Sequence, residues 1–336
     1  MKLKKYPLLI SLIISCVLVV ASLFILGFFG INSTTEISGG SQIEISVSNS
    51  VDQKQAVVEA RKVLGKYGAK VETAFYQDKY VANGDEILTK SLVVKTTARG
   101  FSDDIKANIR NDLASALGVD VSLVSEVYEI TSSVTSTQIL YIALGVGIVT
   151  FCLFVFAWIR YNFFAGLSIL LANLHNIILY LAIIILTRIP LSLISIAGLA
   201  ILTIIMAALV IAVYENYRDK ANLHIDDKLT VSERMMQAQK MASKPFILVL
   251  CAVVVFALMM FFIPVISVRL SALGILIGTL VALYTSTIVG PGAYAALLEV
   301  QDANQRAVMS RNDEINKEIQ KKIKKNAPKH TKKNKK

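Results

Sequence analysis

Apolar residues gather in six long runs along this chain, and one wide polar stretch, between the first and second runs, separates them unevenly. The runs cover Pro7 to Ile31, Ile139 to Ile159, Phe163 to Thr187, Leu191 to Tyr214, Pro245 to Val265 and Leu270 to Leu298. Each reaches the roughly 20 residues that a helix rising about 1.5 Å per residue needs to cross about 30 Å of hydrocarbon. The pattern predicts a polytopic α-helical membrane protein of six spans. Residues 1–31 form the first span with its leading end, 32–136 a domain outside the bilayer, 137–298 the other five spans with a loop at 215–244, and 299–336 a tail. Lys2, Lys4 and Lys5 precede the first run as they would a cleaved signal. Signal cores are only about 7 to 15 residues long, so an uncleaved anchor is expected. Cys16 follows Ile13, Ile14 and Ser15 as in a lipoprotein cleavage box, but the apolar run continues past it to Ile31.

Within residues 32–136 the period changes. Gln42 to Val47 alternates apolar and polar, as a half-buried strand does, whereas Ala56, Val57, Ala60, Val63 and Leu64 recur at helical spacing over Val51 to Gly65. Val71 to Tyr76 reads as a strand, with Tyr80 and Val81 prolonging it. Asn83-Gly84 gives turn chemistry, and Ile87 to Thr96 is the returning strand. Phe101 to Leu117 is a second helix, opened by Ser102 as N-cap with Asp103 and Asp104 in its first turn, and closed by Gly118. Val121 to Ile130 is expected as the last strand. The order βαββαβ predicts a ferredoxin-like α+β domain, a module more often used for docking than for catalysis.

Charge orients these pieces. The lysines before the first run and the lysine-dominated stretch from Lys317 to Lys336 place both ends in the cytoplasm, and an even number of spans agrees. The 32–136 domain is then extracytoplasmic and the 215–244 loop cytoplasmic. In that loop Val231, Met235, Ala238 and Ala242 share a helical face, which predicts a segment lying along the membrane surface. The net charge of +11 is concentrated in the tail. A solvated tail near anionic lipid headgroups is the plain expectation, and contact with ribosomal RNA the sharper one. No sequence-specific nucleic-acid binding is expected.

The chemistry available is sparse. Cys16, Cys152 and Cys251 all fall in apolar runs and read as small packing residues, not as a disulfide framework. Histidines stand only at 175, 224 and 330, and there is no metal-ligand cysteine spacing, phosphate loop or nucleophile elbow. Neither an enzyme activity nor a cofactor or metal is therefore expected. Ionisable groups are costly inside a bilayer and mark function when present. His175, flanked by Asn173 and Asn176 on the third run, is the only one near the middle of any run. With Thr203 on the fourth run, these residues form a candidate intramembrane polar cluster, either a proton relay or a set of interhelical hydrogen bonds. Glu215 and Arg218, three apart, are placed to pair. Gly274 and Gly278 make a small-xxx-small surface that admits a close helix, in a partner or in the same chain.

Several short stretches, in order, resemble SecF, the smaller half of the SecD and SecF protein-export complex of the RND superfamily. Glu36-Ile37-Ser38-Gly39-Gly40-Ser41 is similar to that family's Asp-Phe-x-Gly-Gly-Thr motif outside the first span. Ile159-Arg160-Tyr161, Leu174-His175-Asn176, Val213-Tyr214-Glu215 with Arg218, and Tyr284-Thr285-Ser286 with Gly290-Pro291 follow. The resemblance implies an accessory subunit of the Sec translocase in the cell membrane. Its implied partners are SecD, the SecYEG channel, preproteins and membrane lipids, and its implied energy source is the proton gradient. One departure weakens the last point: where the family carries an Asp in span four, this chain reads Met206-Ala207-Ala208-Leu209-Val210-Ile211. An RND-type exporter of small molecules or lipids, and a scaffold of the translocon that transports nothing, are the alternatives.

Overall fold

A computed structural model describes residues 6–47, 53–80, 88–222, 229–263 and 266–326. The first apolar run forms helix α1 (Tyr6–Phe29). After it, a single turn, α2 (Thr35–Ser38), leads into the outer domain. That domain consists of β1 (Gly40–Val47), α3 (Gln53–Lys66), β2 (Val71–Tyr80), β3 (Leu88–Thr96), α4 (Asp103–Leu117) and β4 (Tyr128–Ile130). The four strands form one sheet in the order β2-β3-β1-β4, and all neighbours are antiparallel. Register places Ile43 opposite Val94 and Ile45 opposite Leu92. These residues pack with Ala60, Leu64, Ile109 and Leu113, so α3 and α4 both cover the same face of the sheet. Ser102 caps α4 by accepting from the Ile105 N–H, and Gly118 ends the helix in the left-handed region (φ 64°) that favours glycine. The Asn83-Gly84 turn lies outside the described residues.

One expected strand is shorter than its sequence suggested. Val121 to Ile130 divides into a 3-10 turn, Val121–Leu123, and the three-residue β4. Local side chains take the backbone groups that a continuous ladder would need. The Asp120 carboxylate accepts from the Ser122 N–H at 2.7 Å, and Arg110 donates to the Val124 carbonyl at 2.7 Å.

The remaining runs form α5 (Ser136–Arg160), α6 (Phe163–Thr187), α7 (Leu193–Asn222), α8 (Val231–Met241), α9 (Ser243–Phe261), α10 (Ile266–Tyr284) and α11 (Gly290–Asn326). A π-helical turn, Thr285–Val289, joins α10 to α11 without a break. Five described helices are long and apolar enough to span a membrane; α8 and α9, bent by 47°, make a sixth if counted together. The protein is a multi-pass membrane protein.

Three features of this bundle depart from the sequence reading. Cys16, Cys152 and Cys251 are exposed on its outer surface and not packed inside it, because each sits on a helix face that looks away from its neighbours. α8 is capped by a reciprocal Thr230–Glu233 box and buries Val231, Met235 and Ala238 against α7 and α11, so its apolar face meets protein, not the membrane surface. The helix that begins at Gly290 does not stop near Leu298 with the apolar run but continues to Asn326. The small-residue pair is filled from within the chain: a Cβ on Gly278 would lie 2.3 Å from Leu202 Cδ1 and 3.0 Å from the Tyr180 ring.

Candidate functional site

The residues singled out by sequence gather at three depths. Where the outer domain meets the bundle, Gly39 adopts φ 68°, and a Cβ there would fall 1.8 Å from an Arg99 Nη2 and 2.6 Å from the Ile130 carbonyl oxygen. A Cβ on Gly40 would fall 2.0 Å from the Thr96 carbonyl oxygen. The Gly-Gly pair is thus what lets β1 enter between β3 and β4. The Glu36 carbonyl accepts from the Val134 N–H at 3.0 Å and the Ser132 hydroxyl at 2.9 Å, drawing the exit of the domain against its entrance. The loop between α6 and α7 joins the same hub. The Thr34 N–H donates to the Leu191 carbonyl at 3.0 Å, and Asn32 Nδ2 donates to the Arg188 carbonyl at 2.5 Å.

At this hub the Thr35 N–H donates to Glu72 Oε2 at 2.7 Å. Burial pushes the Glu72 carboxyl up, and Glu36 adds to the rise, while the Thr35 bond and Lys95 oppose it. A carboxyl whose folded-state pKa is raised contributes stability that is present in acid and lost as pH climbs through that pKa. Glu72→Gln, which keeps an acceptor for Thr35, is therefore expected to remove part of the decline in outer-domain stability as pH rises above the ordinary carboxylate range. Protease resistance of the domain in the full chain, followed against pH, checks this; an unchanged profile would contradict it.

In mid-bundle, His175 on α6 bridges two other helices. Its Nε2 lies 2.9 Å from the Ser15 hydroxyl on α1, and its Nδ1 lies 3.2 Å from the Thr285 hydroxyl in the π turn. The Tyr284 hydroxyl donates to the Ser11 carbonyl at 3.0 Å and stands 3.2 Å from the Ser15 hydroxyl, in contact with that of Ser11. A continuous hydrogen-bonded chain therefore runs Thr285, His175, Ser15, Tyr284, Ser11. It exists because α1 is amphipathic in the inverted sense: Ser11, Ser15 and Ser22 are buried (4%, 5% and 3% exposed) while Leu9, Ile13, Val17 and Phe24 face outward. The sequence reading does not place Ser11 or Ser15 in the polar cluster, although their spacing of four within an apolar run is a readable signal.

The other members of the sequence-derived cluster go elsewhere. Asn173 Nδ2 donates to the Thr150 hydroxyl at 2.5 Å. The Asn176 amide and the Thr203 hydroxyl are buried without a hydrogen-bond partner among the described residues. Ser286 bonds back to the Leu283 carbonyl at 3.0 Å within its own turn. Gly290 admits the side chain of Val210, which would lie 2.9 Å from its Cβ, and its carbonyl accepts from Tyr214 at 3.2 Å. Pro291 follows directly after the π turn, inside a helix continuous with α10, so its missing N–H falls where the backbone bonding is already irregular.

At the third depth Glu215 gathers three donors. Arg160 Nη2 and Arg218 Nη2 lie 2.6 and 2.8 Å from Oε1, and the Tyr161 hydroxyl donates to Oε2 at 2.7 Å. The Arg218 guanidinium also stands over the Tyr161 ring at 5.6 Å. Two stretches far apart in sequence thus form one knot between α5 and α7. The three charged side chains remain 31–46% exposed, so each ion pair is worth at most about 1 kcal/mol, and the knot fixes position more than it adds stability. Among the described residues no group of three or more His, Cys, Asp or Glu is placed to hold a metal ion.

Residues 112–300, more than half of the chain, match the family described as protein export membrane protein SecD/SecF, C-terminal. The chain belongs to the SecD/SecF protein-export family. The matched stretch contains His175, the Glu215 knot and the π turn, whereas the Gly39-Gly40 hub and the serines of α1 precede it. Two crystal structures share the fold. One, of SecDF in a super-membrane-facing form, has a TM-score of 0.69 and 16% identity, covering 91% of this chain and 39% of that one. The other, of SecDF described as a translocon-associated membrane protein from Thermus thermophilus, has a TM-score of 0.59 and 18% identity over 89% of this chain and 39% of its own. This chain thus spans well under half the length of the SecDF chains it matches. No curated protein sequence matches it.

Proposed function

We propose that this protein is the SecF-like half of a SecD and SecF pair, a non-enzymatic accessory subunit that assists export of preproteins through the SecYEG channel in the cell membrane. What supports the reading most is the family match over residues 112–300 together with the SecDF fold, which takes in 91% of this chain. In this reading both termini are cytoplasmic, the outer domain is ferredoxin-like, and that domain touches emerging preprotein or the partner. The Gly39-Gly40 hub transmits its position to the bundle through Thr34 and Asn32.

Isolation of the tagged full chain in mild detergent tests this. Co-purification with a SecD-type chain and SecYEG is expected, and depletion is expected to slow preprotein export. Recovery without either partner, together with unimpaired export, would overturn the proposal and favour a small-molecule or lipid exporter. A second reading adds coupling to the proton gradient through His175. The observation in its favour is the unbroken chain of side-chain hydrogen bonds from Thr285 to Ser11, in which each member is able both to donate and to accept. Without such coupling the subunit is a scaffold of the translocon.

A further inference from the structure

The outer domain and the bundle enclose a cavity of about 330 Å³ between them. Asn32, Thr187 and Arg188 line it from the bundle side, and Lys70, Glu72 and Thr97 from the domain side. The chain itself sets its depth. The apolar run of α1 ends at Ile31, that of α6 ends at Thr187, and that of the next span begins at Leu191. The Leu191 N–H donates to the Asn32 carbonyl at 2.8 Å, so these three ends are tied at one level. Polar side chains placed where three apolar runs stop lie at the height of lipid headgroups.

The cavity carries charge of both signs. Lys70, whose carbonyl accepts from the Thr96 hydroxyl at 2.8 Å, is exposed and in no ion pair among the described residues. Arg188 is the one non-glycine residue with a positive φ (55°) among those described, a conformation that glycine would adopt without strain. Its Nη1 donates to the Gly30 carbonyl at 2.5 Å and its Nη2 to the Phe29 carbonyl at 3.4 Å, which leaves three of the five guanidinium N–H groups for another acceptor. The same guanidinium stands 5.9 Å from the centre of the Phe29 ring, and Phe29 and Phe28 are 71% and 70% exposed. The cavity therefore borders an outward apolar face of α1. The third charged residue, Glu72, accepts from Thr35 through Oε2, and burial penalises the charge on its carboxyl. A cation bound beside it offsets that penalty.

These features select among occupants. A free anion gains nothing from the apolar face and meets the carboxylate of Glu72. An anionic headgroup that lacks an ammonium meets it too. A phosphodiester bearing an ammonium uses all three charges: its phosphate oxygens accept from Lys70 and Arg188, its ammonium donates to Glu72, and its acyl chains lie along α1. We propose that this cavity is a headgroup site for a lipid of the phosphatidylethanolamine type, seated where the outer domain rests on the bundle.

Native mass spectrometry of the full chain in detergent near neutral pH tests this, with phosphatidylethanolamine, phosphatidylglycerol and phosphatidylcholine of equal chain length offered in turn. Retention of phosphatidylethanolamine is expected to exceed that of either other lipid by at least about fivefold. Lys70→Gln changes an exposed side chain and is expected to leave the melting temperature unchanged, while lowering retention of phosphatidylethanolamine and phosphatidylglycerol alike by about threefold. Glu72→Gln is expected to lower the ratio of the first lipid to the second by about fivefold, because the ammonium loses its partner and the glycerol headgroup loses its repulsion. Equal retention of the three lipids would overturn the proposal, as would a ratio unchanged in Glu72→Gln or retention unchanged in Lys70→Gln. Displacement of bound phosphatidylethanolamine by inorganic phosphate would instead assign the cavity to a free anion.

Discussion

Gly40→Ala is expected to abolish the folded outer domain while leaving the membrane bundle inserted. The added methyl would lie 2.0 Å from the Thr96 carbonyl oxygen and 3.1 Å from Thr35 Cγ2. The first of these is backbone at the last residue of β3, opposite Ser41 in the ladder, so no rotamer change relieves it. Relief requires β1 to move off β3, and β1 is also the strand that carries β4. A cost above about 3 kcal/mol follows, near the upper end for overpacked sites. That is a large share of what a domain of this size has to lose. Limited proteolysis of membranes should cut the variant between residues 32 and 136 and spare the spans. A resistant outer domain would show that the hub tolerates displacement. Gly65, where nothing lies within 4 Å of a Cβ, is the control position.

His175→Leu and His175→Asn together give the second large effect. Leucine removes the link between α1, α6 and the π turn and leaves the hydroxyls of Ser15 and Thr285 without the imidazole. Interhelical hydrogen bonds inside a membrane contribute only about 0.6 kcal/mol on average and at most about 1.7. Packing alone therefore predicts a folded, slightly weakened subunit. Asparagine retains a donor and an acceptor but cannot take up and release a proton near neutral pH. If the chain from Thr285 to Ser11 carries protons, both variants should export preprotein at the gradient-free rate. Measurement in inverted vesicles with and without a proton gradient checks this. An asparagine variant that still responds to the gradient would reduce the network to a structural tie.

Much of the outer domain was legible because its signals are local. Alternation from Gln42 to Val47, Ser102 before an acidic first turn and Gly118 after Leu117 each correspond to a feature of β1 or α4. The strand expected from Val121 is shorter because Asp120 and Arg110 compete for its backbone, a contest that hydrophobic periodicity does not register. In the bundle the spans were legible, but the partners of their polar residues were not. Nothing near His175 in sequence points to Ser15, 160 positions earlier, or to Thr285, 110 later. Arg160 and Glu215 were each visible within a separate motif, and only the packing of α5 on α7 joins them. The cysteines were misjudged for a related reason: within a charge-free run, composition does not distinguish the face turned to lipid from the face turned to protein.

From Ile266 to Asn326 the backbone is a single rod about 90 Å long, with one surplus residue held in the wide turn at Thr285–Val289. Such a turn acts as a phase shifter. Taking that residue out, so that the rod becomes α-helical throughout, swings everything beyond it by about 100° about the axis and draws it back by about 1.5 Å. One deleted threonine would then re-aim the whole shaft of α11, together with Gly290 and Tyr294 at its base, without touching a single residue of α10.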